Sequence, residues 1–225
     1  MVHGDDAGLK LPPRVAPVQV IIVPIWRTES ERQAVETAVD RARERLAEVA
    51  RVRVDARDGR TPGFKFNEWE LKGVPLRLEI GPRDVTADRV VLVRRDTREK
   101  RAVPMTDLGE AVRNLLDDIQ TNLFTMAQRT LAERTVVVES ERALAERVAA
   151  NAGWSLAAWC GDAACEARVK AETTASSRTI NQTDADRAWP AAATKGGSWF
   201  FSPGPIDSCT VPMSPNHPIA VHNGV

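Results

Sequence analysis

The sequence predicts an α/β protein in which a mixed five-stranded sheet is flanked by helices and followed by a smaller α+β domain. Residues 18–25 form a nearly continuous apolar run, which is typical of a strand buried on both faces. Helical and alternating apolar patterns then follow one another along the chain. Strands and helices that succeed each other in this way predict a sheet with helices packed on it.

The predicted helices are marked by caps and by apolar spacing. Thr28 and Glu31 form a capping box, and apolar residues recur after it every three or four positions. A long helix is expected to begin at Asp107, its predicted N-cap, because an apolar stripe runs from Leu108 to Leu131. At about 1.5 Å per residue this helix is roughly 40 Å long, which is enough to connect two domains.

Shorter segments supply the remaining strands. Residues 51–55 and 76–80 alternate apolar and polar side chains, as half-buried strands do. Residues 90–93 and 102–103 are expected to pair across an intervening turn. In the smaller domain we expect a helix, a strand and a helix, at residues 139–150, 154–159 and 163–174.

Four regions are therefore expected along the chain. Residues 1–17 are the tail of a preceding domain together with an extended, proline-containing linker at residues 8–17, and residues 18–135 form the sheet domain. Residues 136–186 form the smaller domain. Residues 187–225 lose periodicity in a mixture of Pro, Gly, Ser and Asn, so little regular structure is expected there.

Bulk composition limits the classes of function. Of 225 residues, 43% are hydrophobic, and 31 basic residues balance 31 acidic ones, so the chain as a whole has no attraction to polyanions. Three cysteines, an odd number, do not make a disulfide framework, which favours a reducing compartment. Because neither a signal-peptide pattern nor an apolar run of roughly 20 residues occurs, we expect a cytoplasmic protein that does not enter a membrane.

The most informative segment is residues 62–75, which lies between two Pro/Gly breaks. It contains Lys65, Glu68 and Lys72 together with three aromatic side chains. Flat rings suit stacking on unpaired bases, and fixed donors and acceptors suit the edges of those bases. The alternative is a charged amphipathic helix whose aromatic residues, Trp69 among them, belong to the core.

Positive charge is concentrated around this segment. Residues 51–101 contain 14 basic and nine acidic residues, whereas residues 28–50 contain four basic and six acidic ones. The local excess places cations where phosphates would have to be held. Lysine and arginine donors suit O6 and N7 of guanine, and Glu68 or Glu79 suits its N1 and N2 edge.

Residues 57–75, with the EIGPRD motif at residues 79–84, closely resemble prolyl-tRNA synthetases of the archaeal/eukaryotic-like type. Other matching motifs, which extend the resemblance over most of residues 1–178, are Leu11-Pro12-Pro13, Ala16-Pro17 and Val93-Arg94-Arg95-Asp96. Residues 2–6 resemble the chain that follows the last catalytic motif of these enzymes, so a C-terminal fragment is expected. Residues 187–225 match nothing in the family, and a shifted reading frame or a divergent, dispensable end is expected there.

The resemblance implies that residues 18–135 are the anticodon-binding domain of a class II synthetase, with a proline tRNA and its two anticodon guanines as partner. The candidate anticodon-binding residues, by chemistry and position, are Arg57, Lys65, Phe66, Glu68, Lys72, Glu79 and Arg83. The parent enzyme is expected to attach proline to tRNA using ATP and to be a homodimer. Its catalytic domain has no counterpart in this sequence, so we expect no catalytic residue and no activity from this chain alone.

A cysteine pair suggests a possible metal site. Cys160 and Cys165 form a C-x4-C pair that can place two thiolates on one zinc ion, and some members of the resembled family use the pair in this way. A tetrahedral site needs two more ligands, and Cys209, His217 and His222 do not match the family spacing. The favoured interpretation is therefore two small residues packed at a corner.

Taken together, the patterns predict the C-terminal portion of a prolyl-tRNA synthetase, which recognises the anticodon. Two alternatives of other classes stay open. One is a free-standing RNA-binding or regulatory paralogue of the anticodon-binding domain. The other is a metal-binding interaction module built on the long helix and the cysteine pair.

Overall fold

The structure, a computed structural model, describes four stretches of the chain: residues 3–158, 163–173, 176–179 and 218–222. The chain divides into two compact units, Met1–Ala127 and Gln128–Val225. The division falls inside a long helix, shortly before the domain limit that the sequence predicts.

The first unit alternates strands and helices, as the sequence predicts. In chain order its elements are β1 (Gly4–Asp5), β2 (Gly8–Leu9), β3 (Val20–Pro24), α1 (Glu29–Leu46), β4 (Val52–Val54), α2 (Pro62–Leu71), β5 (Leu76–Ile80), α3 (Pro82–Thr86), β6 (Arg89–Arg94), β7 (Lys100–Pro104), a 3-10 turn (Met105–Asp107) and α4 (Leu108–Arg134).

The five-stranded sheet of this unit has the order β4-β3-β5-β6-β7. β3 is parallel to β4 and β5, whereas β5, β6 and β7 run antiparallel to their neighbours. The predicted mixed sheet flanked by helices is therefore confirmed.

The two faces of the sheet carry different cores. Val20 and Ile22 of β3 face the larger core, to which α1 and α4 contribute. Ile21 and Val23 face the opposite way, where Trp69 of α2 packs against them. Because β3 is buried on both faces, as its continuous apolar run predicts, α1 and α2 lie on opposite sides of the sheet.

The helices follow the predicted spacing only in part. The capping box of Thr28 and Glu31 is present at the start of α1. α4 is buried as far as Ile119, but farther along the predicted apolar stripe Met126 and Leu131 are 48% and 39% exposed. Asp107 is not the N-cap of α4 as predicted, because the chain enters this helix through a tighter 3-10 turn that contains Asp107.

The N-terminal segment, predicted to be an extended linker, is held against the sheet domain. Arg51 donates hydrogen bonds to the main-chain oxygens of Pro13 (2.9 Å) and Ala16 (2.8 Å). Leu9 of β2 lies against Gly73, whose φ is +74° and where an added Cβ would come within 2.6 Å of the Leu9 Cβ. Only glycine fits there, which accounts for the break after α2.

Arg95 fastens this segment more firmly. Its side chain is 4% exposed and donates to both carboxylate oxygens of Asp5, at 2.6 and 3.0 Å. It also donates to the main-chain oxygens of Gly8 (3.2 Å) and Glu70 (3.2 Å). We call these four residues the Arg95 anchor; it ties β1 and β2 to the C-terminal end of α2.

The second unit is a smaller α+β domain, as predicted. Its described elements are β8 (Thr135–Val137), α5 (Glu141–Ala149), β9 (Trp154–Ala158), α6 (Ala163–Thr173), β10 (Ser176–Thr179) and β11 (Pro218–His222). The sheet order is β10-β11-β9-β8, with β8 parallel to β9 across α5. Val138, Leu144 and Val148 form its small core.

β11 corrects one prediction. It lies within residues 187–225, where little regular structure was expected, and it pairs antiparallel with both β9 and β10. Ile219 and Val221 alternate with smaller residues, and two strand edges are available to satisfy the backbone of this short segment. The rest of that predicted region lies outside the described residues.

In the described ranges, no helix combines the length and apolar character that a membrane crossing requires.

Candidate nucleic-acid interface

Three chain segments meet at one edge of the sheet. β3, β4 and β5 are parallel, so the residues after them, beginning at Ile25, Asp55 and Gly81, lie at the same edge. α1 and α2 leave toward opposite faces. The carboxyl ends of parallel strands, at the point where the connections diverge, are a common ligand-binding position in α/β sheets.

Asp55 is the centre of a polar cluster at this edge. Its side chain is 1% exposed and accepts hydrogen bonds from Arg57 Nε (2.8 Å), Arg57 Nη2 (2.7 Å) and Trp69 Nε1 (2.8 Å). Its main-chain oxygen accepts from Lys65 Nζ at 3.1 Å. A buried carboxylate requires such donors, so this residue docks α2 onto the end of β4.

The charge state of Asp55 follows from these partners. The Arg57 guanidinium, by hydrogen bonding, holds the pKa of the Asp55 carboxyl well below its usual range. Burial acts in the opposite direction, and the hydrogen bond from Trp69 again lowers the pKa. Asp55 is therefore ionised throughout the physiological range.

Glu68 links the buried part of the cluster to side chains that are exposed to solvent. Its two oxygens accept from Arg57 Nη2 and from Lys72 Nζ, each at 2.6 Å. These hydrogen bonds, first that of Arg57 and then that of Lys72, lower the pKa of Glu68. The side chains of Arg57 and Lys72 are 47% and 50% exposed. We define the strand-end cluster as Asp55, Arg57, Lys65, Glu68, Trp69 and Lys72.

Lys65 occupies an unexpected position. It is 4% exposed, although the sequence suggested a solvent-facing donor. Within the described part of the chain, its one hydrogen-bond acceptor is the Asp55 main-chain oxygen. An ammonium has three donors, so two remain without an acceptor from the described residues.

Phe66 and Glu79 belong to a second group, which lies on the α2 side of the sheet. The Arg77 guanidinium lies 4.1 Å from the centroid of the Phe66 ring and donates to Glu79 at 3.0 Å and to Glu70 at 2.7 Å. Lys100 Nζ lies 3.4 Å from the second oxygen of Glu79. We define the sheet-face group as Phe66, Glu70, Arg77, Glu79 and Lys100. Arg77 contacts Phe66, Glu70 and Glu79.

Arg83 stands apart from both groups. It lies on the short helix α3 after β5, with its side chain at the surface. Among the described residues it has no side-chain hydrogen bond or ion pair. Of the seven candidates, the structure therefore brings together four in the strand-end cluster and two in the sheet-face group.

The aromatic residues of α2 divide between core and surface. Trp69 is 7% exposed and is a core residue, as the alternative interpretation of the segment held. Phe64 is 45% exposed, and the Arg60 guanidinium lies 4.6 Å from its ring centroid. Leu71, the last residue of α2, is 63% exposed.

Sequence reasoning missed Asp55 and Arg77 as contributors, and it did not single out Trp26, whose ring lies 6.0 Å from the Lys65 ammonium. Asp55 and Trp26 follow the buried parallel strands β4 and β3, and a polar or aromatic residue at such a strand end is the signal that could have found them. Arg77 alternates with apolar residues of β5 and carries no comparable signal.

The cysteine pair is only partly described. Cys160 lies outside the described residues, and for Cys165 only its place in the α6 backbone is described. Elsewhere in the described ranges, no three His, Cys, Asp or Glu side chains come together as metal ligands.

Comparison with known proteins agrees with this geometry. Residues 19–115 match the family model described as an anticodon binding domain. The first unit is therefore an anticodon-binding domain, a class of domain that binds tRNA in aminoacyl-tRNA synthetases.

The relatives point to one member of that class. The proline–tRNA ligase of Alkaliphilus oremlandii is 47% identical over 180 residues, covering 80% of this chain and 37% of that protein. That of Symbiobacterium thermophilum is 48% identical over 192 residues, covering 80% and 38%. The chain belongs to the proline–tRNA ligase family and spans about 37% of the length of the curated relatives it matches.

A solved structure supports the same assignment. The prolyl-tRNA synthetase of Cryptosporidium parvum, complexed with L-proline and AMP, superposes with a TM-score of 0.78. It is 30% identical, and the match covers 99% of this chain and 44% of that one.

Proposed function

We propose that this chain recognises the anticodon of a proline tRNA, as part of an enzyme that attaches proline to tRNA using ATP. The observation that carries the proposal is the strand-end cluster, where two exposed cations and an acceptor are mounted on a buried carboxylate in an anticodon-binding domain. The names of the relatives supply the amino acid, and the AMP in the solved relative supports ATP as a substrate of the parent enzyme.

The cluster is suited to exchange its partners for base edges. Arg57 and Lys72 can donate to guanine O6 and N7, and Glu68 can accept from N1 and N2. Lys72 and Glu68 form an exposed i,i+4 pair, which contributes little to stability. A well-formed bidentate contact to a base contributes about 1–3 kcal/mol of discrimination against the wrong base, which exceeds the typical contribution of an exposed pair to stability.

The other candidates complete this proposed interface. Phe66 and Arg77 offer stacked flat groups, with Glu79 beside them as an acceptor. Arg83, exposed and at the same edge of the sheet as Asp55, is suited to hold a phosphate. Lys65 contributes its donors from a buried position within the strand-end cluster.

Further proposals rest on the family alone. The parent enzyme works in the cytoplasm as a homodimer, and this portion alone is inactive in aminoacylation. The domain limits at residues 17, 135 and 186 also remain proposals. A zinc ion at Cys160 and Cys165 is not proposed, because two thiolates are half of a tetrahedral set. No observation favours the regulatory or metal-binding alternatives.

A gel-shift titration tests the proposal. The 225-residue chain is titrated against proline tRNA and against the same tRNA with both anticodon guanines replaced by adenines. We expect the replacement to weaken binding at least about tenfold, since each mismatched base contact costs roughly 1–3 kcal/mol. Equal affinity for the two RNAs would contradict anticodon recognition.

A further inference from the structure

An aromatic ring beside the strand-end cluster has no role in the interface derived so far. Trp26 lies two residues after the end of β3 and two residues before Thr28, the N-cap of α1. The ring is partly buried and packs against the larger core, so its position is fixed. Rigid, partly exposed indoles at a binding site are well suited to stack on an unpaired base.

Two cations flank this ring. The Arg32 guanidinium carbon lies 5.3 Å from its centroid, and the Lys65 ammonium lies 6.0 Å from it. Lys65 therefore joins the ring to the strand-end cluster through the main-chain oxygen of Asp55. Its two remaining donors, which have no acceptor among the described residues, are held next to the indole by a side chain that is 4% exposed.

A buried ammonium with spare donors needs acceptors. Burying a charged group without enough hydrogen bonds is costly, and no carboxylate oxygen of the described residues lies within 4.0 Å of Lys65 Nζ. A base that stacks on Trp26 would present carbonyl or ring-nitrogen acceptors at its edge, close to these donors.

The Arg32 guanidinium lies over the Trp26 ring and is held there only weakly. Its partners are Glu36, at 2.8 Å on the same helix, and Asp58, at 3.8 Å. Both are exposed pairs that contribute little, and the Arg32 side chain itself is 33% exposed. A base can replace the guanidinium over the indole, and the released arginine can then approach a phosphate.

We propose that Trp26 is the stacking platform for one unpaired base of the bound RNA, with Lys65 as the donor to the edge of that base. The inference rests on the proposed function and adds to it a specificity-determining aromatic residue outside α2. The ligand is a single-stranded nucleotide base, because the site combines a flat apolar ring with donors and an adjacent phosphate-seeking cation.

The test is a double-mutant cycle between protein and RNA. Affinities of the full chain are measured for a proline anticodon stem-loop and for versions with one abasic anticodon nucleotide each. Trp26→Ala should weaken binding about 5- to 150-fold, the range typical of a lost base stack, and Trp26→Phe should keep most of the affinity. At one abasic position, the wild-type protein should lose a similar factor, and Trp26→Ala should lose little more.

Control variants distinguish a loss of base stacking from unfolding of the protein and from a failure of the proposed RNA binding. Phe124→Ala removes another exposed aromatic of the same unit and should leave affinity unchanged. Trp26→Phe keeps a ring against the core, so it remains informative if Trp26→Ala unfolds. Two outcomes would overturn the stacking role alone. In one, binding depends on the guanines but Trp26→Ala does not change the affinity. In the other, the losses from Trp26→Ala and from the abasic nucleotide add at every anticodon position. Failure of the wild type to bind would overturn both proposals.

Discussion

The strand-end cluster and the Arg95 anchor are both built from guanidinium and carboxylate groups, but they differ in which parts are buried. In the cluster the inner group is the carboxylate of Asp55, 1% exposed, and the outer groups are Arg57 and Lys72, about half exposed. In the anchor the guanidinium of Arg95 is 4% exposed, and four of its five N–H donors bind two carboxylate and two main-chain oxygens.

This difference separates recognition from structure. Donors at the solvent-facing rim of a cluster can exchange a protein acceptor for a ligand acceptor at little cost. A buried guanidinium with every acceptor inside the fold cannot do so without unfolding its surroundings. The cluster is therefore suited to binding, whereas the anchor holds the N-terminal segment and α2 in place.

The largest expected effect is on the anchor. Arg95→Ala should lower the free energy of unfolding by about 2–3 kcal/mol, because it removes a buried guanidinium and leaves the carbonyls of Gly8 and Glu70 without this donor. Asp5 keeps Lys10 and the Ala7 N–H as partners. Urea denaturation of the full chain measures the change. Under conditions where the variant is folded, its RNA affinity should stay close to that of the wild type. A loss of affinity without a loss of stability would show that the Arg95 anchor takes part in recognition and not in holding the fold.

The next largest effect is on the centre of the cluster. Asp55→Asn should cost about 2 kcal/mol of stability at neutral pH and also weaken RNA binding, because Arg57 and Trp69 lose a charged acceptor. Both effects together distinguish this position from the anchor. Denaturation and gel-shift titration of the same preparation measure them, and a variant with unchanged affinity would show that Asp55 does not position the interface.

The pH dependence of that stability difference has a definite sign. The folded pKa of Asp55 is lowered, so its contribution is fully present above the unfolded value of about 3.9 and is lost as pH falls through the folded pKa. The difference between wild type and Asp55→Asn should be constant from about pH 6 to 8 and shrink below about pH 4. A difference that grows on acidification would contradict the assignment.

In contrast to Arg95, Lys72 should matter for RNA affinity and hardly for stability. Lys72→Ala should weaken RNA binding about fivefold or more, while changing stability by less than about 0.5 kcal/mol. The matched control is Arg43→Ala, which removes another exposed helical cation, 63% exposed and paired with Asp40. Similar losses of affinity in the two variants would indicate general electrostatics and not recognition.

The smallest expected effect concerns Arg83. With no protein partner among the described residues, Arg83→Ala should leave stability unchanged. As a phosphate contact it should weaken binding to all anticodon sequences alike and reduce the slope of log affinity against log salt by about one. Titrations at several salt concentrations measure the slope; a sequence-dependent loss would move Arg83 from phosphate contact to base contact.

The sequence predicted the elements better than it predicted their contacts. The unbroken apolar run at β3 and the capping box at Thr28 depend on local spacing, and both are confirmed. The burial of Lys65 and the central position of Asp55 depend on how α2 docks onto a strand end ten or more residues away, and spacing alone does not encode that. β11 was missed because its partners are distant in the chain.

The most direct test of the account is a cycle that couples the rim of the cluster to the anticodon guanines. Dissociation constants are measured for wild type and Lys72→Ala, each with the proline anticodon stem-loop and with a version in which one guanine is replaced by adenine. If Lys72 contacts one of the guanines, replacing that guanine should cost the wild type about tenfold and the variant much less. Penalties that simply add at both guanines would contradict base reading by this cluster.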